Sequence, residues 1–207
     1  MRVIKEPEVR KSEILDEAER LFTVKGFEET TVNDILEKTS IAKGTFYYYF
    51  KSKEDALNEI INRRIDGFAE RAIKIISDPS LDVHAKLFSV IMTIKPQNPA
   101  QKEFTPVLHE QGNAQFHQKS LINTLLRLTP ILKDIIEEGN EQRIFNTPYP
   151  KESVEILLSA AIVLFDDGFF IQQPQEAESK VNAFIIAMER ILGAKPGSME
   201  IFRKAVK

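Results

Sequence analysis

The chain has 207 residues, 43% of them hydrophobic and 29% charged, with a net charge of −3; that is ordinary for a globular protein with a substantial core in one or two domains. It contains no cysteine, which excludes disulfides and thiolate metal sites. No apolar run approaches the ~20 residues that span a bilayer, and the opening MRVIKEPEVRKSE lacks the apolar core of a signal peptide, so a cytoplasmic protein without membrane contact is expected.

The first element expected is a helix from Glu8 to about Lys25, entered through Pro7. Ile14, Leu15, Ala18, Leu21 and Phe22 form its apolar stripe, and Gly26 stands where a helix stops. Residues 1–53 hold ten basic and ten acidic side chains, so the acidic excess lies in the remainder. Binding a polyanion needs basic groups on one surface rather than a basic total. Arg2, Lys5, Arg10 and Lys11 give either a basic arm or a solvated tail.

Next comes TTVNDILEKTSIAKGTFYYYFKSK, Thr30 to Lys53. Thr31 can cap a helix, with Asp34 as its capping-box partner. Val32, Ile35 and Leu36 give that helix a short apolar face, and it ends near Thr39–Ser40. Ile41 plugs the core, and Ala42 to Phe50 fits a second short helix. This is the helix-turn-helix arrangement, whose second helix enters the DNA major groove. Phe46, Tyr49 and Phe50 can face inward together, leaving Lys43, Thr45, Tyr47 and Tyr48 outside. Lys43 can reach a guanine edge, Thr45 a phosphate or a thymine methyl, and tyrosine hydroxyls can bond phosphates. Gly44 lets the backbone approach closely. A buried aromatic cluster with solvated lysines would explain Phe46 and Phe50 but not three consecutive tyrosines.

These residues closely resemble the TetR family of bacterial transcriptional regulators, whose usual run is close to TTV-x-DIA-x-x-AGVSKGTFYYYFKSKEDL. The match covers about the first quarter of the chain; the rest agrees only in length and helical texture. The resemblance implies an all-α fold, with an N-terminal three-helix DNA-binding domain at 1–53 and a larger effector-binding and dimerisation domain at 54–207. It puts Thr31 and Asn33 where the first motif helix touches backbone or base. Lys43, Gly44 and Thr45 fall at the base-reading start of the second helix, and Tyr47, Tyr48 and Lys53 at phosphate-binding positions. Asn33 replaces a frequent arginine, and Ser40 and Ala42 stand where Gly and Ser are usual. Ala42 cannot cap the recognition helix, so Ser40 is the expected substitute.

A long helix capped by Ser52 is expected to about Ile76, with no flexible linker before it, and Ser77–Ser80 breaks it. Residues 81–95 form another. Pro96, Pro99 and Pro106 predict a broken stretch to Gly112. A helix from about Asn113 to Glu138 is expected to kink at Pro130 and to end or loosen at Gly139–Asn140. Two more run from about Glu152 to Ile171 and from about Glu176 to Leu192. The first of these is apolar around much of its circumference; the second is sharply amphipathic. Pairing with their copies would give a four-helix bundle, with Ala160, Ala161, Leu164, Phe184, Met188 and Ile191 as interface candidates. Burial in one core is the competing reading.

Phe88, Met92, Phe104, Leu108, Phe116, Leu125, Phe165 and Phe169 lie on the proline-broken helices, where either an apolar effector pocket or a plain core would use them. No catalytic motif is visible: no GxGxxG, no phosphate loop, no HExxH, no GxSxG. No enzyme activity and no cofactor or metal is called for. His109 and His117 are eight residues apart, close enough to share a helix face, but Pro106 and Gly112 argue against an unbroken helix there. Exposed or pocket-lining histidines are the expectation. Asp166 sits in an apolar stretch and needs a partner if buried. The function expected is a ligand-responsive repressor, a homodimer that releases a palindromic DNA operator when a small apolar effector binds. An all-α protein-binding adaptor is the alternative.

Overall fold

The structure, a computed structural model, describes residues 6–95, 99–166 and 174–206. Nine α-helices run through the described residues: α1 (Pro7–Lys25), α2 (Val32–Thr39), α3 (Lys43–Tyr49), α4 (Lys53–Ile76), α5 (Val83–Met92), α6 (Pro99–His109), α7 (Ala114–Glu141), α8 (Pro150–Leu164) and α9 (Pro174–Leu192). Short 3-10 segments follow α6 at Gln111–Asn113 and close the chain at Glu200–Val206. Among the described residues there is no strand, and no helix is long and apolar enough to cross a membrane.

The described residues form two compact units. One holds those up to Arg64 together with 99–120; the other holds 65–95 and everything from 121 onward. Compared with an expected boundary after residue 53, the first unit also takes in the start of α4 and the whole of α6. α4 and α7 each contribute residues to both units.

In the first unit the α1 stripe is buried as its spacing requires: Ile14, Leu15, Ala18, Leu21 and Phe22 all lie in the core with Ile35, Phe46, Phe50, Leu57 and Ile60. Gly26 ends α1 at φ 89°, a left-handed value that favours glycine. α6 packs on α1 and adds Phe104 and Val107 to this core. Arg64 ties the three helices together. Its Nε donates to Glu19 Oε1 at 2.9 Å, and its guanidinium lies 4.1 Å from the centroid of the Phe104 ring. Burial pulls the Arg64 pKa down, with the Glu19 carboxylate opposing it. Arg63 donates to both Asp16 and Glu19, at 2.6 and 2.7 Å.

The second unit is built around Leu128, Leu132, Ile135 and Ile136 of α7, with Val83, Leu87 and Val90 of α5, Val154 and Leu158 of α8, and Ile185, Met188 and Leu192 of α9. Buried Lys86 bonds both Glu138 oxygens, at 2.9 and 2.8 Å, so its charge is paired inside this core. α6 holds Pro106 inside it, and the expected break falls at Glu110, just past its end. α7 holds Pro130 inside it. One sequence expectation is corrected here: Gly139 does not end α7. It lies inside the helix, where the Phe145 ring fills the space a side chain would need: a Cβ there would meet Phe145 Cδ2 at 2.2 Å. Beyond α9, Met199 and Phe202 close the core, the latter edge-on to Phe88 with centroids 5.5 Å apart.

Candidate nucleic-acid interface

α2 begins with the capping box that its sequence predicts. The Asp34 N–H donates to Thr31 Oγ1 at 3.2 Å, and Asp34 Oδ2 accepts from the Thr31 N–H at 2.7 Å. Lys25 Nζ reaches the same oxygen at 2.7 Å. These bonds, Lys25 first and then the Thr31 amide and hydroxyl, hold the Asp34 carboxyl well below the usual carboxylate range. Thr31 is therefore a cap whose outer side stays exposed, and Asn33 is exposed beside it.

The turn departs from expectation. Ser40 does not cap the recognition helix. It ends α2 in the left-handed conformation, φ 52° and ψ 39°, with its N–H shared by the Leu36 and Glu37 carbonyls. Ala42 is the N-cap of α3 and makes no side-chain bond. Serine thus fills the conformational role that a glycine fills at lower cost.

α3 divides its aromatics by face. Phe46 and Phe50 are buried, Tyr49 is half-buried, and Tyr47 and Tyr48 are 47% and 76% exposed. Tyr48 rests edge-on against Tyr49 at 4.9 Å, and Lys43 Nζ lies 5.9 Å from the Tyr47 ring centroid. Lys43 and Gly44 are exposed and Thr45 is half-buried. A Cβ on Gly44 would meet nothing within 4 Å. Nothing among the described residues therefore demands glycine at this position. The result is a convex ridge with one free lysine ammonium, two phenol hydroxyls and a gap between them.

Lys53 is placed differently from expectation. Its Nζ donates to the Phe27, Glu28 and Thr30 carbonyls at 2.9, 3.1 and 3.2 Å, which uses all three of its protons, and it lies 4.4 Å from the Phe27 ring centroid. It fastens the loop between α1 and α2 instead of facing outward. Only the folded contacts reveal this, since the sequence reads simply as an exposed lysine. Lys51 is exposed, and its N–H donates to Asp55 Oδ2 at 2.9 Å at the start of α4.

The expected pocket residues are divided between the units. Phe104 and Phe116 are buried in the first, Phe116 with its ring centroid 5.8 Å from that of Phe27, and Leu108 is half-buried there. Phe88, Leu125 and Phe165 pack against the core of the second, and Met92 is half-buried at the end of α5. Phe169 lies outside the described residues. A groove of about 210 Å³ in the second unit is lined instead by Ile186, Glu189, Arg190, Ala194 and Pro196. Of the interface candidates, Met188 is a core residue at 4% exposure, while Phe184 and Ile191 are half-buried against the core. Ala160, Ala161 and Leu164 are half-buried on α8. Outward apolar positions that the sequence reading missed are Ile156, Val163 and Ile186. The spacing of Ile156 and Val163, seven apart on one helix, was a usable signal. Asp166 is half-buried just past α8.

A capped short helix, a left-handed turn and a second helix with an outward ridge of lysine and tyrosine define a helix-turn-helix DNA-binding regulator. The comparisons with known proteins name its family. Residues 14–60 match the family described as bacterial regulatory proteins, tetR family, and residues 97–186 match the tetracyclin repressor-like C-terminal domain. The chain is 29% identical over 143 residues to the HTH-type transcriptional repressor KstR2 of Rhodococcus jostii, covering 67% of this chain and 69% of that one. It is 26% identical over 178 residues to the HTH-type transcriptional regulator YhgD of Bacillus subtilis, covering 82% and 90%. Among solved structures, Salmonella enterica GusR superposes with a TM-score of 0.64 at 20% identity, covering 92% of this chain and 99% of that one. The chain belongs to the TetR family of transcriptional regulators.

Proposed function

We propose that the chain is a homodimeric, cytoplasmic repressor that grips a palindromic operator through α3 of each copy and lets go when a small, largely apolar effector binds its second unit. The observation that carries this is the outward ridge of α3. Lys43, Tyr47 and Tyr48 present a cation and two hydroxyls, and Gly44 keeps the helix surface low between them. Those groups suit base edges and phosphates. Thr31 and Asn33 flank the ridge from α2, and Thr45 completes its base-facing start. Lys53 acts by holding the α1–α2 loop.

A two-fold partner brings two recognition helices to half-sites one helical turn apart. Ile156, Val163 and Ile186 offer the apolar contacts for it on α8 and α9, with Ala160 and Ala161 allowing close approach. The repressor sign rests on the relative named as a repressor. Effector binding is supported by the C-terminal family match and by polar atoms buried in the second unit without a partner among the described residues, Arg71 Nε and Thr129 Oγ1. Arg71 also donates to the Thr93 carbonyl at 3.1 Å. An effector with an acceptor group on an apolar body would satisfy Arg71 Nε–H. It shifts the equilibrium only by binding one state better than the other, and it weakens operator binding by the same factor that the operator weakens effector binding. No catalytic step enters this reading.

The test is selection from random double-stranded DNA with the full chain. Enrichment of an inverted repeat whose half-sites lie one helical turn apart supports the reading. Enrichment of nothing overturns it in favour of a protein-binding adaptor.

A further inference from the structure

The chain has three histidines, and two of them meet. His109 is the last residue of α6 and His117 lies in the first turn of α7, with the 3-10 segment Gln111–Asn113 between them. The helix is broken, as Pro106 and Gly112 suggested it would be near here, yet the break brings the imidazoles together by folding the chain back. Their ring centroids stand 4.6 Å apart at 80°, and one donor nitrogen of each lies within 4.8 Å of the other. Both side chains are half-buried, so solvent reaches them.

The turn that joins them is fixed from inside. Asn113 is fully buried; its Nδ2 donates to the Val107 carbonyl at 2.7 Å and to Glu110 Oε2 at 3.3 Å, and its N–H donates to the Glu110 carbonyl at 2.8 Å. Two imidazole nitrogens on one tetrahedral zinc, each at ~2.0–2.1 Å, stand roughly 3.4 Å apart. Rotation of the rings about their side-chain bonds covers the difference while the backbone stays in place. A pre-set pair of this kind loses little freedom on binding.

We infer that His109 and His117 form a two-nitrogen site for a divalent transition metal of the group that imidazole prefers, Zn²⁺, Ni²⁺ or Cu²⁺. Water or further oxygen donors complete the coordination. The ion ties the end of α6 to the start of α7. The same turn abuts the loop that leads into α2: a Cβ on Gly112 would come within 2.4 Å of Glu28 Oε1, and one on Gly26 within 3.7 Å of Glu110 Oε1. A loaded site therefore stiffens the support of the DNA-reading pair, all within the first unit. Edge-on packing of two histidines needs no metal, and the experiment separates the two cases.

The experiment is calorimetric titration of Zn²⁺ into the untagged full chain. Saturable uptake of one equivalent per chain is expected. Loss of a group that merely supports a metal ligand already costs about 10–100-fold in affinity. Either His109→Asn or His117→Asn therefore weakens uptake at least about tenfold, and His84→Asn leaves it unchanged. Absence of saturable uptake, or uptake that survives both substitutions, overturns the site. Cu²⁺ electron paramagnetic resonance on the unaltered chain gives a reading that does not depend on a variant folding. Hyperfine coupling to two imidazole nitrogens supports the assignment, and a bound-copper spectrum without nitrogen coupling overturns it.

Discussion

Lys53 donates all three of its ammonium protons to carbonyls of the α1–α2 loop. Removing the donor while keeping the aliphatic stem leaves those carbonyls unpaired. Lys53→Met should therefore lose about 1–3 kcal/mol of stability, read from the midpoint of urea unfolding. The salt dependence of operator binding should stay as it was, because Lys53 is not a phosphate ligand in this account. Asp34 makes the opposite kind of statement. Its carboxyl is held below the usual range by Lys25 and Thr31, so the stability it contributes is in place above the unfolded carboxylate pKa of about 4. That contribution is lost as pH falls from there through the lowered folded value. Asp34→Asn should flatten the acid limb of a stability–pH curve and leave its neutral plateau lower. An acid limb unchanged by the substitution would show that the capping box is not formed in solution.

At the scale of elements, α3 trades stability for access. Gly44 sits inside a helix with open space where a side chain would go. Gly44→Ala should raise fold stability by up to about 1 kcal/mol and weaken operator binding, a combination that a purely structural glycine would not give. Gly139→Ala should do the reverse and cost about 1–3 kcal/mol by overpacking against Phe145, with no direct effect on DNA contacts. The sequence made α1, the capping box and the inward–outward split of the TFYYYF run legible, because each rests on spacing within one helix. Ser40 was misread because a left-handed serine has no local signature. The place of α6 was not legible at all. It depends on Arg64 meeting Phe104 across forty residues, a contact no periodicity encodes. α7 continues past Pro130, as expected, because Leu128, Ile131, Leu132 and Ile135 are all buried on either side of it, and that packing outweighs the lost backbone bond.

At the scale of the whole molecule, the account rests on two copies presenting two α3 ridges to one DNA. Ile156→Glu with Ile186→Glu should turn a dimer into a monomer in sedimentation and abolish tight operator binding together. The helices α4 and α7, each continuous between the two units, are the proposed route by which an effector biases the ridge, and Arg71→Met should blunt the response to an effector more than it changes operator affinity. The most direct measurement is fluorescence anisotropy with the selected operator, comparing the unaltered chain with Lys43→Ala and Tyr48→Phe over a range of salt concentrations. The account predicts tight, salt-sensitive binding. Lys43→Ala should lose about 1–3 kcal/mol and, because it removes a cation at the DNA, make the salt slope shallower by up to about one, while Tyr48→Phe should weaken binding with the slope unchanged. Specific binding whose affinity and salt slope are the same in all three proteins would contradict it, because the ridge of α3 would then not be the surface that meets DNA.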